Sequence, residues 1–188
     1  MGYQISRDAY RKWADGQTTR YERIAGEPVA MSPERVIHAR LKARVWRALD
    51  RELRTAGLPC EALPDGITAE VGDDTDDEPD AVVNCGEALP DDAVAATNPA
   101  IVVEVLSPST SADDPRVKCP RASFAGKPAD YFRVPSIRHY LIVRAKRREV
   151  IHHRHGSEGA IVTHPHISGL IRLDPPGIEL SVEEIYRD

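Results

Sequence analysis

Two carboxylates stand where apolar strands should run, and that placement could do metal chemistry. Glu104 interrupts the run Ala100-Ile101-Val102-Val103-Glu104-Val105-Leu106, which closes on Ser107-Pro108-Ser109-Thr110. β-Branched and aliphatic residues bounded by Pro and Ser read as a buried strand. An ionised carboxylate buried there alone would cost several kcal/mol. A cation, a metal ion or an edge position facing water must therefore meet Glu104. Asp80 enters a second short strand, Ala81-Val82-Val83, behind Pro79, whose missing N–H suits a strand start.

Side chains on one face of neighbouring strands come within roughly 5 Å of each other. Two carboxylates that close repel unless a cation lies between them. Mg2+ suits such a gap, because it takes oxygen ligands and is held by one or two carboxylates plus water and phosphate. Mn2+ is the alternative ion. The backbone carbonyl near Val105 would add a third oxygen to Asp80 and Glu104. A bound ion polarises a phosphoryl oxygen and acidifies its water, which is what phosphodiester hydrolysis requires. A nearby lysine would orient that water and steady the developing charge.

Other groups carry less. Arg40, Arg44, Arg47, Arg51 and Arg54 alternate at helical spacing, a basic row along one face. Such a row is usually a solvated face, yet the guanidinium fork also suits phosphate oxygens and makes the first four DNA-binding candidates. Gly72-Asp73-Asp74-Thr75-Asp76-Asp77-Glu78 lacks the glycine and glutamate positions of a calcium loop, so a solvated loop is expected. His152, His153 and His155, with His164 and His166, could suggest zinc. Strand neighbours point to opposite faces, which favours exposed hairpin histidines instead. Ser107 and Ser109 have no base placed for them and read as turn residues. Cys60, Cys85 and Cys119 fit neither a disulfide framework nor a zinc spacing, so buried free thiols are expected.

The elements that must position these residues follow from periodicity and turn chemistry. Ile5 to Trp13 reads as a short helix capped by Ser6, and Tyr21 to Met31 as a strand pair turning at Ala25-Gly26. The clearest helix opens at Pro33-Glu34 and runs to about Thr55, with Ile37, Leu41, Val45, Leu49 and Leu53 as its core stripe. Cys60 to Val71 reads as one strand bent at Asp65-Gly66. A loop over 113–131 leads into a helix near Lys127. Arg138 to Val143 and Glu149 to His153 read as a hairpin, followed by short strands at Ala160–Thr163 and Leu170–Leu173. Ser181, with Glu184 three residues on, opens a terminal helix.

Several segments together resemble the Uma-type restriction endonuclease family of the PD-(D/E)XK nuclease superfamily. They are Glu-Pro-Asp80, Val-Val-Glu104-Val-Leu-Ser-Pro-Ser-Thr, and Lys127-Pro-Ala-Asp-Tyr131-Phe-Arg-Val-Pro-Ser-Ile-Arg-His-Tyr-Leu-Ile-Val. The resemblance runs from Tyr21-Glu-Arg-Ile-Ala-Gly-Glu-Pro-Val to Leu173-Asp-Pro-Pro-Gly-Ile-Glu-Leu. It implies an α/β (α+β) fold, a restriction-endonuclease-like mixed central sheet flanked by helices with additional β-hairpins. It also implies metal binding by Asp80 and Glu104, and DNA as substrate. The superfamily's lysine normally stands two positions after the acidic residue, where this chain has Leu106. In this family it moves to a Lys-x-x-x-Tyr setting, which Lys127 and Tyr131 reproduce. The family spacing from Thr110 lands instead on Lys118, and an insertion over Cys119 to Gly126 reconciles the two. Glu27 and His38 stand where the family carries a glutamate and a histidine, and with Tyr131 they are candidates to support the site.

The chain has 188 residues, 41% hydrophobic and 29% charged, within the range of one globular domain spanning 1–188. Its net charge of −5 argues only mildly against nucleic acid, because an average hides the basic row. No apolar run approaches the roughly 20 residues that span a bilayer, and the start lacks a signal-peptide core, so a cytoplasmic protein is expected. The expected activity is Mg2+-dependent DNA cleavage, and double-strand cutting suits a homodimer. Two alternatives stay open: a catalytically inactive nucleic-acid-binding module on the same fold, and a small-molecule metallohydrolase.

Overall fold

The computed structural model describes residues 4–31, 33–106, 127–156 and 159–187. Helix α1 (Arg7–Ala14) starts where the Ser6 hydroxyl accepts the N–H of Ala9. Strands β1 (Tyr21–Ile24) and β2 (Glu27–Ala30) form the expected hairpin. Its two turn residues, Ala25 and Gly26, both have positive φ, at 52° and 79°, which matches the twist of a tight hairpin. Helix α2 (Val36–Thr55) follows, and Gly57 beyond its end takes φ 62°. Leu41, Val45, Ala48, Leu49 and Leu53 are buried along it, while Ile37 is 49% exposed, so the expected stripe begins one turn late.

The segment expected as one bent strand is two strands in different sheets. Strand β3 (Cys60–Pro64) pairs with β6 (Ala81–Cys85), whereas β4 (Ala69–Val71) pairs with β5 (Thr75–Asp77). Asp65-Gly66 is the crossing between the sheets, and Gly66 takes φ 103° there. The acidic stretch is likewise no solvated loop. It contains β5, and Asp76 and Asp77 are each only 2% exposed. The buried guanidinium of Arg23 binds Asp76 at 2.5 Å, and Arg7 reaches the other oxygen of Asp76 at 2.5 Å. Charge pairing across the small sheet β2-β1-β5-β4 therefore folds a segment that composition reads as soluble.

Strand β7 (Pro99–Leu106) lies inside the large sheet, antiparallel to β6 and parallel to β8 (His139–Arg144). Helix α3 (Lys127–Tyr131) precedes β8. Strands β9 (Val150–His155) and β10 (Ile161–His166) complete the order β10-β9-β8-β7-β6-β3. Strands β11 (Leu170–Leu173) and β12 (Ile178–Ser181) form a separate hairpin, and Ser181 caps α4 (Val182–Ile185) by accepting from Glu184 N–H.

Alternation along the central strands divides the core into two layers. Ile101, Val103 and Val105 pack with α2 and with the β11–β12 hairpin. Val102 packs on the other side with Val82, Tyr131, Tyr140 and Ile142. The register also sets Cys60 against Cys85, with Cα atoms 4.0 Å apart, and the two form a disulfide. This corrects the free-thiol reading for both residues, because strand pairing joins cysteines that the sequence separates by 25 positions. Cys119 lies outside the described residues. No helix among the described residues is long and apolar enough to cross a membrane.

Candidate active site

The site grows from the place where β6 begins. Ala81 pairs with Val103, so one step back sets Asp80 across from Glu104, and a second sets Pro79 across from Val105. Both carboxylates are buried, Asp80 at 7% exposure and Glu104 at 6%. Proline offers no N–H to continue the ladder. The backbone of Val105 is met by side chains instead. Its N–H donates to Asp80 Oδ2 at 2.5 Å, and its carbonyl accepts from His38 Nε2. The Val105 carbonyl, expected as a metal ligand, accepts this bond from a histidine and keeps its second lone pair.

His38 comes from the first turn of α2 and is 8% exposed. Glu34, His38 and Lys42 follow one another at helical i, i+4 spacing, which brings all three to Asp80. Lys42 Nζ lies 3.0 Å from Asp80 Oδ1 and 2.6 Å from Asp65 Oδ2, and it also donates to Glu34 Oε1. Burial alone would lower the Lys42 pKa, but Asp80, Asp65 and Glu34 outweigh it and raise the ammonium above its ordinary value. Burial would raise Asp65, yet hydrogen bonds from Lys42 and Arg20 hold it below the ordinary carboxylate value. The four groups line a cleft of about 230 Å³ with Ala39, Ala43, Trp46 and Pro64.

Glu104 is held from another direction. Tyr131 on α3 donates its hydroxyl to Glu104 Oε1 at 2.9 Å. Burial, followed by the charges of Glu104 and Asp77, raises the Tyr131 pKa well above its ordinary value, so the phenol stays a donor. Tyr131 therefore contacts Glu104 directly. Lys127 opens α3, but its side chain lies outside the described part, as do Lys118, Ser107 and Ser109. Glu27 sits exposed on β2, the outer strand of the small sheet, and no hydrogen bond or ion pair brings it to Asp80.

The basic row divides in two. Arg51 is engaged by Glu184 and Glu52, and Arg54 by Asp50. Among the described residues Arg40, Arg44 and Arg47 make no ion pair, and Arg40 and Arg47 share a helix face with Ala43 at the cleft.

Of the histidines expected at the surface, His164 is exposed but His152 is buried against His139. His139 and His152 are 3% and 4% exposed, and their rings meet through Nδ1 and Nε2 at 2.9 Å. His153 points the other way, stacking on Tyr140 and bonding Thr163, as strand alternation requires.

Sequence reasoning missed Glu34, Lys42 and Asp65. The row Glu34, His38, Lys42 was the available signal, a polar line beside the apolar stripe of α2. Asp65 carried none, since only the crossing between sheets brings it there.

A mixed sheet flanked by helices, with buried carboxylates where its central strands meet, defines a restriction-endonuclease-like fold. The chain belongs to the Uma2 family, described as "Putative restriction endonuclease", which matches residues 7–183. It is 25% identical over 186 residues to "Uncharacterized protein slr1290" of Synechocystis sp. (strain ATCC 27184 / PCC 6803 / Kazusa), covering 98% of this chain and 92% of that protein. A crystal structure from Anabaena variabilis ATCC 29413, "a putative nuclease belonging to DUF820", superposes with a TM-score of 0.71. That match covers 97% of each chain at 14% identity.

Proposed function

We propose that this protein is a metal-dependent endonuclease that hydrolyses DNA phosphodiester bonds. The observation that carries the reading is the register of β6 on β7, which sets Asp80 across from Glu104 with both carboxylates buried. Two carboxylates brought onto one ion suit a hard cation such as Mg2+, or Mn2+. When bound, that ion would polarise the phosphoryl oxygen and acidify a water. The chain's own residues do the rest. Val105 N–H and Lys42 hold Asp80 in place, and Tyr131 orients Glu104. Arg40, Arg44 and Arg47 take phosphates along the cleft, and Lys127, or Lys118, assists the attacking water. Two copies of the chain would serve the two strands of a duplex.

Plasmid cleavage in Mg2+ or Mn2+ tests this. Glu104→Gln and Asp80→Asn should each lower the rate by at least ~100-fold. Cleavage at the parental rate in Glu104→Gln would overturn the assignment.

One observation favours a second reading, a nucleic-acid-binding module without catalysis. The ammonium of Lys42 already neutralises Asp80 from 3.0 Å. DNA binding without cleavage in either ion selects that reading.

A further inference from the structure

We propose that Glu34, His38 and Asp80 form a second divalent-metal site on the α2 side of the sheet, one that selects transition ions over Mg2+. It shares Asp80 with the nuclease site but does not depend on DNA being the substrate.

One nitrogen of His38 and one oxygen each of Glu34 and Asp80 lie within 4.8 Å of one another. A first-row ion binds nitrogen and oxygen at about 2.0–2.2 Å, so ligands facing across it stand roughly 4.4 Å apart. Small side-chain movements close that difference, and Glu34, bound to Lys42 but exposed ahead of α2, has room to make them.

The histidine supplies the second, independent reason. A carbonyl can only accept, so His38 Nε2 must carry the hydrogen that binds Val105. In the neutral ring that leaves Nδ1 with a lone pair. Nδ1 is buried, has no hydrogen-bond partner, and faces Glu34 Oε1 at 3.4 Å. In that form the two atoms meet lone pair to lone pair, and a cation between them turns a poor arrangement into a good one. The Val105 carbonyl here plays the outer role that commonly fixes the tautomer of a metal-ligating histidine.

Charge points the same way. Glu34, Asp65 and Asp80 share the single ammonium of Lys42, while Arg20 is divided between Asp65 and Glu78. Among the described residues, four carboxylates against two cations leave the cluster two charges short, and one divalent ion would supply them. The cleft of about 230 Å³ beside Glu34 and Asp80 gives the ion a route in. An imidazole with two carboxylates suits Mn2+, Co2+ or Zn2+, whereas Mg2+ prefers oxygen alone.

The test is pulsed electron paramagnetic resonance of the full chain loaded with Mn2+, read for coupling to ligand nitrogen. The parent protein should show that coupling, and His38→Gln should lose it while keeping its far-ultraviolet circular dichroism. Glu104→Gln should keep it even where DNA cleavage is gone, which separates this site from the nuclease reading. Should His38→Gln fail to fold, Mn2+ titration of Glu34→Gln decides instead, with a loss of at least ~10-fold in affinity expected. Absence of nitrogen coupling in the parent, its survival in His38→Gln, or unchanged affinity in Glu34→Gln would overturn the proposal.

Discussion

His38 donates to the carbonyl of Val105, taking the place that the next backbone N–H of β6 would have filled. That N–H does not exist, because the residue there is Pro79. The ladder is thus continued by side chains. His38 serves the carbonyl of Val105, and Asp80 serves its N–H. This strand start therefore brings a histidine and a carboxylate to the same point.

Removing the histidine donor should therefore be felt in stability. His38→Phe leaves a buried carbonyl unpaired at a cost of about 1–3 kcal/mol. His38→Gln, which can still donate, should lose less. Urea denaturation of both variants measures the difference, and equal midpoints for Phe and Gln would contradict the hydrogen bond's role.

Lys42→Met should cost about 3 kcal/mol or more, since it strands the buried Asp80 carboxylate. Raised as it is, the Lys42 ammonium stabilises at every pH below its ordinary 10.5 and stops doing so only above its folded value. Asp65, held below 3.8, stabilises above that pH and loses its share as pH falls through its folded value. The gap between parent and variant should be flat from about pH 5 to 9 and shrink in stronger acid. Thermal melts across that range would show it; a melt of Lys42→Met matching the parent at neutral pH would rule it out.

Cys60→Ser with Cys85→Ser opens a loop whose ends are 25 positions apart. Chain-entropy reasoning puts the loss at about 3 kcal/mol. For a chain of this size that is a fall in Tm of roughly 6–12 °C. Reductant should lower the parent's Tm by a similar amount and leave the double variant unmoved.

The buried histidine pair predicts acid sensitivity. Burial lowers His139 to about 4 and His152 to about 3, both below the ordinary 6.5. The unfolded chain therefore binds more protons than the folded one below pH 6.5, so stability is full above that value and declines as pH falls toward 4. The pair should contribute a loss on the order of 2–4 kcal/mol between about pH 6.5 and 5. His152→Leu should flatten that decline in denaturation experiments, and a slope identical to the parent's would refute it.

Much of the framework was legible in the residues themselves. Glu104 in an apolar run, Asp80 behind Pro79, the Ser6 and Ser181 caps and the Ala25-Gly26 turn are all local signals. Each is decided within a few residues by periodicity, a missing N–H, a hydroxyl or a positive φ. The row Glu34, His38, Lys42, Trp46 was visible as helical spacing, but nothing local said which strand end it would meet.

The remainder belonged to tertiary structure. A buried Asp76 needed Arg23 from another strand, the Cys60–Cys85 bridge needed the β3–β6 register, and Asp65 reached Lys42 only through the crossing between two sheets. These contacts join residues remote in sequence, and their partners are chosen by which strands pair and in what register. The sequence alone determined that two carboxylates would stand on the central strands. Tertiary structure decided their company: Lys42 and His38 beside Asp80, Tyr131 on Glu104. The reason is physical, since burying a charge sets the need for a partner, while only the packed fold decides which group is near enough to meet it.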